Sequence, residues 1–274
     1  LKNHLITITL NKVQFQLQEE QDFNWLRQLG AVFCVFDQQD SGNISFGIEK
    51  DGHRYFVKYA GAKPSEFSEN PEDPEDAIKR LKNAVPVYQS LEHPHLIKLI
   101  DYFDTENGYA LVFQWFEGEC LHSHWSFGGA AKYTNPKSPY YRFKKLELEK
   151  RLKSLDTIFS FHTYVESKQH VAVDFYDGSI LYNFEKDETK ICDIDFYRKS
   201  PSINDIGEEF WGSTRLKSPE EYELGSPIDA ITNVFNLGGI AFGLLGGEMD
   251  RSFAKWDASG ELYEVCSESS RRRS

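Results

Sequence analysis

Two stretches decide how this chain folds: His170-Val171-Ala172-Val173-Asp174-Phe175-Tyr176-Asp177-Gly178-Ser179-Ile180-Leu181 and, shortly after, Lys190-Ile191-Cys192-Asp193-Ile194-Asp195-Phe196-Tyr197. Each is a short apolar strand carrying a carboxylate, with Asp174 at a turn and Asp195 just before a loop. The two acids are about twenty residues apart. So spaced, one carboxylate can orient or deprotonate an attacking hydroxyl, and the other can hold a Mg²⁺ that neutralises nucleotide phosphates. The plainer reading is that Asp174 and Asp177 only cap turns.

The residues before this stretch alternate in the manner of strands. Ile6–Leu10 and Val13–Leu17 predict a hairpin across Asn11-Lys12, and Ala31–Phe36, Ile44–Ile48 and Tyr55–Tyr59 predict a three-strand meander with a turn at Asp51-Gly52. An acidic run with two prolines, Glu66 to Asp76, leads into a helix from about Glu75 to Leu91, with a kink expected at Pro86. Leu96–Phe103 and Tyr109–Phe113 are two further strands. Phe127 to Tyr140, rich in Gly, Pro, Lys and aromatics, reads as a loop. Leu148, Leu152, Leu155, Phe159 and His162 predict an amphipathic helix over Lys144–Glu166, and Asn233–Leu245 and Arg251–Cys266 read as helices. A β-rich first part and a helical second part make two lobes, an α+β arrangement.

In this order the segments resemble the protein-kinase family, from about Gly30 onward. Asp174 matches the catalytic aspartate, and Asp195-Phe196 resembles the metal-binding D-F-G segment. Lys58, in Phe56-Val57-Lys58-Tyr59, matches the strand lysine that holds nucleotide phosphates. Phe36 to Asn43, with Gly42, stands where a glycine-rich loop covers the phosphates. Glu92-His93-Pro94-His95-Leu96-Ile97-Lys98-Leu99 resembles the link from the regulatory helix to the fourth strand. Trp211 to Glu220 resembles the end of the activation segment, with Glu220 expected to pair with an arginine of Arg271-Arg272-Arg273. Ile231 to Gly238 resembles the central helix, with Asn233 in place of an aspartate.

The resemblance implies a bilobal protein-kinase-like fold: an N-lobe over 1–113, a hinge over 114–119 and a C-lobe over 120–274. It implies ATP and Mg²⁺ as cofactors. Lys58, Gly42, Gln114, Phe116 and Ser179 would bind nucleotide, and Asp195 and Ser179 would bind the metal. The γ-phosphoryl group would pass to a serine or threonine of a protein. Several positions depart from the family pattern. Tyr176 replaces the loop lysine, Ser179 the metal-binding asparagine, and no acid lies near Ala84, where the helix glutamate is expected. Asp177 could supply metal-binding charge in place of that asparagine. These departures leave three alternatives: a pseudokinase that binds nucleotide or docks partners, a kinase with a small-molecule hydroxyl acceptor, and a match of fold alone with an unrelated function.

Composition narrows the classes. The net charge of −12 argues against nucleic-acid partners, which need cationic surface. Cys34, Cys120, Cys192 and Cys266 have neither metal spacing nor a disulfide framework. With no run long enough for a membrane span and no secretory leader pattern in Leu1–Leu10, a cytoplasmic location with no membrane partner is expected.

Overall fold

The computed structural model describes residues 5–37, 42–63 and 73–246. The protein is mixed α/β and divides into two compact units at Glu117/Gly118, within the predicted connecting stretch. Gln38–Ser41, most of the acidic run, the helix expected over Arg251–Cys266 and the three arginines near the end lie outside the described residues.

The first unit is built on a five-stranded antiparallel sheet. Its strands are β3 (Ala31–Phe36), β4 (Ile44–Lys50), β5 (His53–Ala60), β6 (Leu99–Thr105) and β7 (Gly108–Gln114), in the order β3-β4-β5-β7-β6. The β4–β5 hairpin turns on Asp51 and Gly52, both at positive φ (52° and 75°), which pairs Lys50 with His53. That is the backbone an Asp-Gly hairpin turn requires. The hairpin of β1 (Ile6–Leu10) and β2 (Val13–Leu17), with the short helix α1 (Asn24–Leu29), packs on the sheet through Leu10, Phe15, Leu17, Phe23 and Leu26. These meet Phe46, Val57 and Tyr59.

Period-two alternation puts Phe56 and Lys58 on the other face of β5, paired with Phe113 and Leu111 of β7. Helix α2 (Pro74–Ser90) contacts β5 and β7, its Tyr88 ring 4.9 Å from that of Phe113. Asp73 caps α2 by accepting from the Glu75 N–H at 2.9 Å. The helix runs continuously through Pro86, which is exposed, so the ring faces solvent and the buried stripe of Ala77, Leu81, Ala84, Val85 and Tyr88 is undisturbed.

The second unit is mainly helical. Strand β8 (Glu119–Cys120) is followed by three short helices, α3 (His124–Phe127), α4 (Ala131–Thr134) and α5 (Pro139–Lys144). The region predicted as a loop therefore contains short helical turns over about half of its residues. Its polar residues satisfy the backbone locally: Ser138 Oγ donates to the Lys132 carbonyl, and Pro139 occupies the first helical position of α5.

The long helix α6 spans Leu148–Ser167, and its buried stripe is Leu155, Ile158, Phe161, His162 and Val165. Leu148, Leu152 and Phe159, assigned to the core from their spacing, are exposed. The apolar face is rotated from the predicted one. After α6 come β9 (His170–Val171), the hairpin β10 (Ile180–Asn183) and β11 (Glu188–Ile191), and helix α7 (Ala230–Leu245). Strands β11, β10 and β8 form one small sheet.

Candidate functional site

The turn after β9 is held from three sides. Val171 and Val173 are buried with Phe210 and Ile228. Phe175 is buried with its ring 4.2 Å from that of His162 on α6. Asn233 of α7, with no exposed surface, accepts the Ala172 N–H on Oδ1 at 2.8 Å and donates from Nδ2 to Glu166 at 3.2 Å. Between these anchors Asp174 is half-buried at φ 61°, a left-handed conformation that aspartate tolerates better than most residues.

His162 fixes the neighbourhood further. One ring nitrogen donates to the Ile158 carbonyl at 2.8 Å, and the other accepts the Tyr197 hydroxyl at 2.8 Å. Burial pushes this imidazole down to about 4, so it is neutral at pH 7.

The second carboxylate turn is bonded to the first. Cys192 N–H donates to the Ser179 carbonyl at 2.9 Å, just past the β10–β11 pairing of Ile180 with Ile191. Asp193 follows at φ 54° and half-buried, and Asp195 is buried at 7 % exposure. Burial first, then the charges of Asp193 and Asp174, push the Tyr176 phenol upward. Tyr197 is raised by burial, Cys192, Asp174 and Asp193. Asp174 and Asp193 therefore lie close enough to the same two phenols to act on both. Asp193 was passed over in the sequence; its signal was its position directly after the strand, in an Asp-x-Asp pair.

Ser179 is fully buried, and its Oγ has no hydrogen-bond partner among the described residues. Asp177, the other candidate for metal-binding charge, is engaged by cationic side chains. Its Oδ2 takes the ammonium of Lys132, its Oδ1 takes the Arg215 guanidinium at 2.9 Å, and His122 Nδ1 stands 3.8 Å away. Burial alone would raise this carboxyl; Lys132 and Arg215 hold it well below the usual range. Lys132 is 3 % exposed, its ammonium 4.6 Å from the Tyr140 ring. Nothing in this stretch of Gly, Pro, Lys and aromatics announced that one of its lysines is buried.

Lys217 is a further buried lysine, and the charge of Asp174 acts on it. It donates to the Glu208 carbonyl at 2.8 Å, and burial lowers its pKa. Nearby, Glu220 accepts the Thr232 hydroxyl at 2.7 Å. The buried acid of this segment is Glu221, which accepts from Ser218 N–H and Oγ.

The remaining predicted residues belong to the sheet unit. Lys58 is 7 % exposed on β5, and Gly42 sits at φ 70° before β4. Gln114 is exposed at the end of β7, its N–H donating to the Lys98 carbonyl at 2.9 Å, and Phe116 is half-buried. Ala84 is fully buried on α2.

Among the described residues, no group of three or more His, Cys, Asp or Glu side chains is arranged to hold a metal ion, and no helix is long and apolar enough to cross a membrane. In comparisons with known proteins, no family model and no curated protein matches the chain.

Proposed function

We propose that the chain is an ATP-dependent phosphotransferase that moves the γ-phosphoryl group to a serine or threonine hydroxyl of a protein. One observation carries this reading. The two carboxylate turns are bonded to each other at the base of one hairpin, and both Asp174 and Asp193 are held at positive φ. Non-glycine residues held in this sparsely populated backbone region cluster at functional sites.

In this reading Asp174 accepts the acceptor's proton as its oxygen bonds to the γ-phosphorus. The bond from that phosphorus to the β-phosphate oxygen breaks, and ADP leaves. Asn233 acts through the Ala172 N–H to keep the turn in register. Lys58 takes the phosphate role assigned to it by resemblance. Mg²⁺, when bound, neutralises charge on the phosphates. Hard carboxylate oxygens of Asp195 and Asp193 suit it, and one or two carboxylates plus phosphates and water are its usual protein ligands. Ser179 Oγ, without a hydrogen-bond partner among the described residues, is a neutral oxygen of a kind Mg²⁺ accepts.

A second reading is favoured by Tyr176 and by the complete burial of Ser179: a module that binds nucleotide without transferring phosphate. Titration of the melting midpoint with ATP, with and without Mg²⁺, combined with a protein-acceptor assay, separates the two. Transfer abolished by Asp174→Ala with ATP affinity retained supports the first. A midpoint shift without transfer supports the second. No shift at millimolar ATP rejects both, and transfer only to small hydroxyl compounds rejects the protein acceptor. Asp193→Asn and Asp195→Asn, compared for Mg²⁺ dependence, identify which acid meets the metal.

A further inference from the structure

The two acid-bearing turns meet at one side chain of α6. His162 is fully buried, its ring 4.2 Å from that of Phe175, the neighbour of Asp174. Its Nδ1 lies 2.8 Å from the Ile158 carbonyl, which can only accept, so Nδ1 carries the proton and Nε2 is left as an acceptor. Tyr197 fills that acceptor from the other turn, its hydroxyl 2.8 Å from Nε2. Tyr197 is itself buried, and its N–H donates to the Ile194 carbonyl at 3.1 Å, closing the turn that contains Asp195. The next residue, Arg198, pairs with Val171 of β9. Backbone pairing therefore sets the register of the two segments. The hydroxyl adds a tie from the Asp195 turn to the side chain on which Phe175 packs.

We propose that Tyr197 is a positioning residue: its hydroxyl, bonded to His162, sets the Asp195 turn relative to the Asp174 turn for binding of Mg²⁺ with nucleotide. This rests on the phosphotransferase reading and extends it to one residue pair. A phenylalanine would fill the same space, so packing does not account for the hydroxyl. What the hydroxyl adds is direction. A hydrogen bond weakens steeply off its axis, so it holds one separation between helix and turn, where apolar contact accepts a range. Mg²⁺ rewards that, because it demands near-ideal geometry with oxygens at about 2.0–2.1 Å.

The test measures ATP binding against Mg²⁺ concentration for the wild-type chain, Tyr197→Phe and the double variant His162→Leu/Tyr197→Phe. Tyr197→Phe should raise the Mg²⁺ needed for half-maximal binding by about fivefold, the worth of one hydrogen bond, and leave ATP binding in EDTA unchanged. The double variant removes both polar partners, so it should regain thermal stability and keep the raised Mg²⁺ requirement. A requirement that returns to the wild-type value with stability, or that neither variant moves, makes the bond structural only. Either result overturns the inference and leaves the phosphotransferase reading intact. If the wild-type chain binds no ATP with Mg²⁺ present, that reading fails and takes the inference with it. Should neither variant fold, amide exchange of the wild-type chain decides. Adding Mg²⁺ to the chain with ATP should slow exchange over 171–176 and 193–198 together, and any other pattern overturns the proposal.

Discussion

In the sheet unit, Phe15, Phe23 and Phe46 meet edge to face at 5.5–5.6 Å in a core of apolar side chains. In the helical unit, the turn from Asp174 to Ser179 is arranged around one buried carboxylate and two cations. Apolar contacts are non-directional, so a core of rings tolerates a change of shape if volume is roughly kept. A buried ion cluster tolerates a change of shape no better and a change of charge far worse, because the partners left behind have no water to turn to. The first arrangement gives stability; the second fixes a particular loop geometry.

The sharpest way to break this contrast is a pair of near-isosteric changes. Asp177→Asn should cost about 3–5 kcal/mol by removing the buried carboxylate charge that both Lys132 and Arg215 meet. Phe46→Leu should cost only ~1–2 kcal/mol. Urea denaturation of both variants decides it. If the two costs are equal, the ion cluster is better hydrated than its burial indicates.

Acid should reach the two regions differently, since the fully buried His162 belongs to the helical unit. Its folded pKa, about 4, lies below the ordinary value of 6.5. Between those values the unfolded chain binds more protons, so stability falls as pH drops from 6.5 to 4, on the order of 3 kcal/mol by the lower end. His122, lowered by burial against the pull of Asp177, acts in the same window. The contribution of Asp177 is present above the ordinary carboxylate value and is lost only at more acid pH, because its folded pKa is depressed. Urea midpoints taken from pH 7 to 4 should slope downward, and His162→Asn should flatten that slope. An unchanged slope would assign the acid sensitivity to other groups.

How much of this was legible in the sequence follows the same division. The meander, its Asp-Gly turn and the α2 helix were readable because alternation, turn chemistry and capping are local properties of neighbouring residues. Asp174 stood out by its place in a turn after an apolar strand, whereas Ser179 was picked out by the family resemblance alone. The Lys132–Asp177–Arg215 cluster was not, because its members come from three segments far apart in the chain and only the fold joins them. The α6 stripe was read in part: Leu155 and His162 are buried, but Ile158, Phe161 and Val165 complete the packed face in place of Leu148, Leu152 and Phe159.

Asn233 tests how far the helical unit depends on polar detail without net charge. Asn233→Asp keeps the acceptor for Ala172 N–H but replaces the donor to Glu166 with a second carboxylate. The expected cost is ~1–3 kcal/mol at pH 7, in line with a lost buried hydrogen bond plus like-charge repulsion. Relative to wild type at each pH, the deficit should shrink toward pH 5 as the acid pair shares a proton. A deficit independent of pH would mean that Glu166 is not the partner that matters.

A small effect of opposite sign should come from the sheet unit, at Pro86. Its ring removes one helical N–H and crowds the carbonyl of Lys82, a strain that an exposed alanine would relieve. Against this, the unfolded chain regains freedom when the ring is lost, worth ~0.4–1 kcal/mol. The buried stripe of α2 is untouched, so Pro86→Ala should stabilise by ~1–2 kcal/mol, read as a rise in the urea midpoint. A loss of stability would carry more information than the gain. It would mean that the shape proline imposes on α2 is needed to seat Tyr88 on Phe113. The apolar side of the protein would then be as particular about geometry as the ionic side.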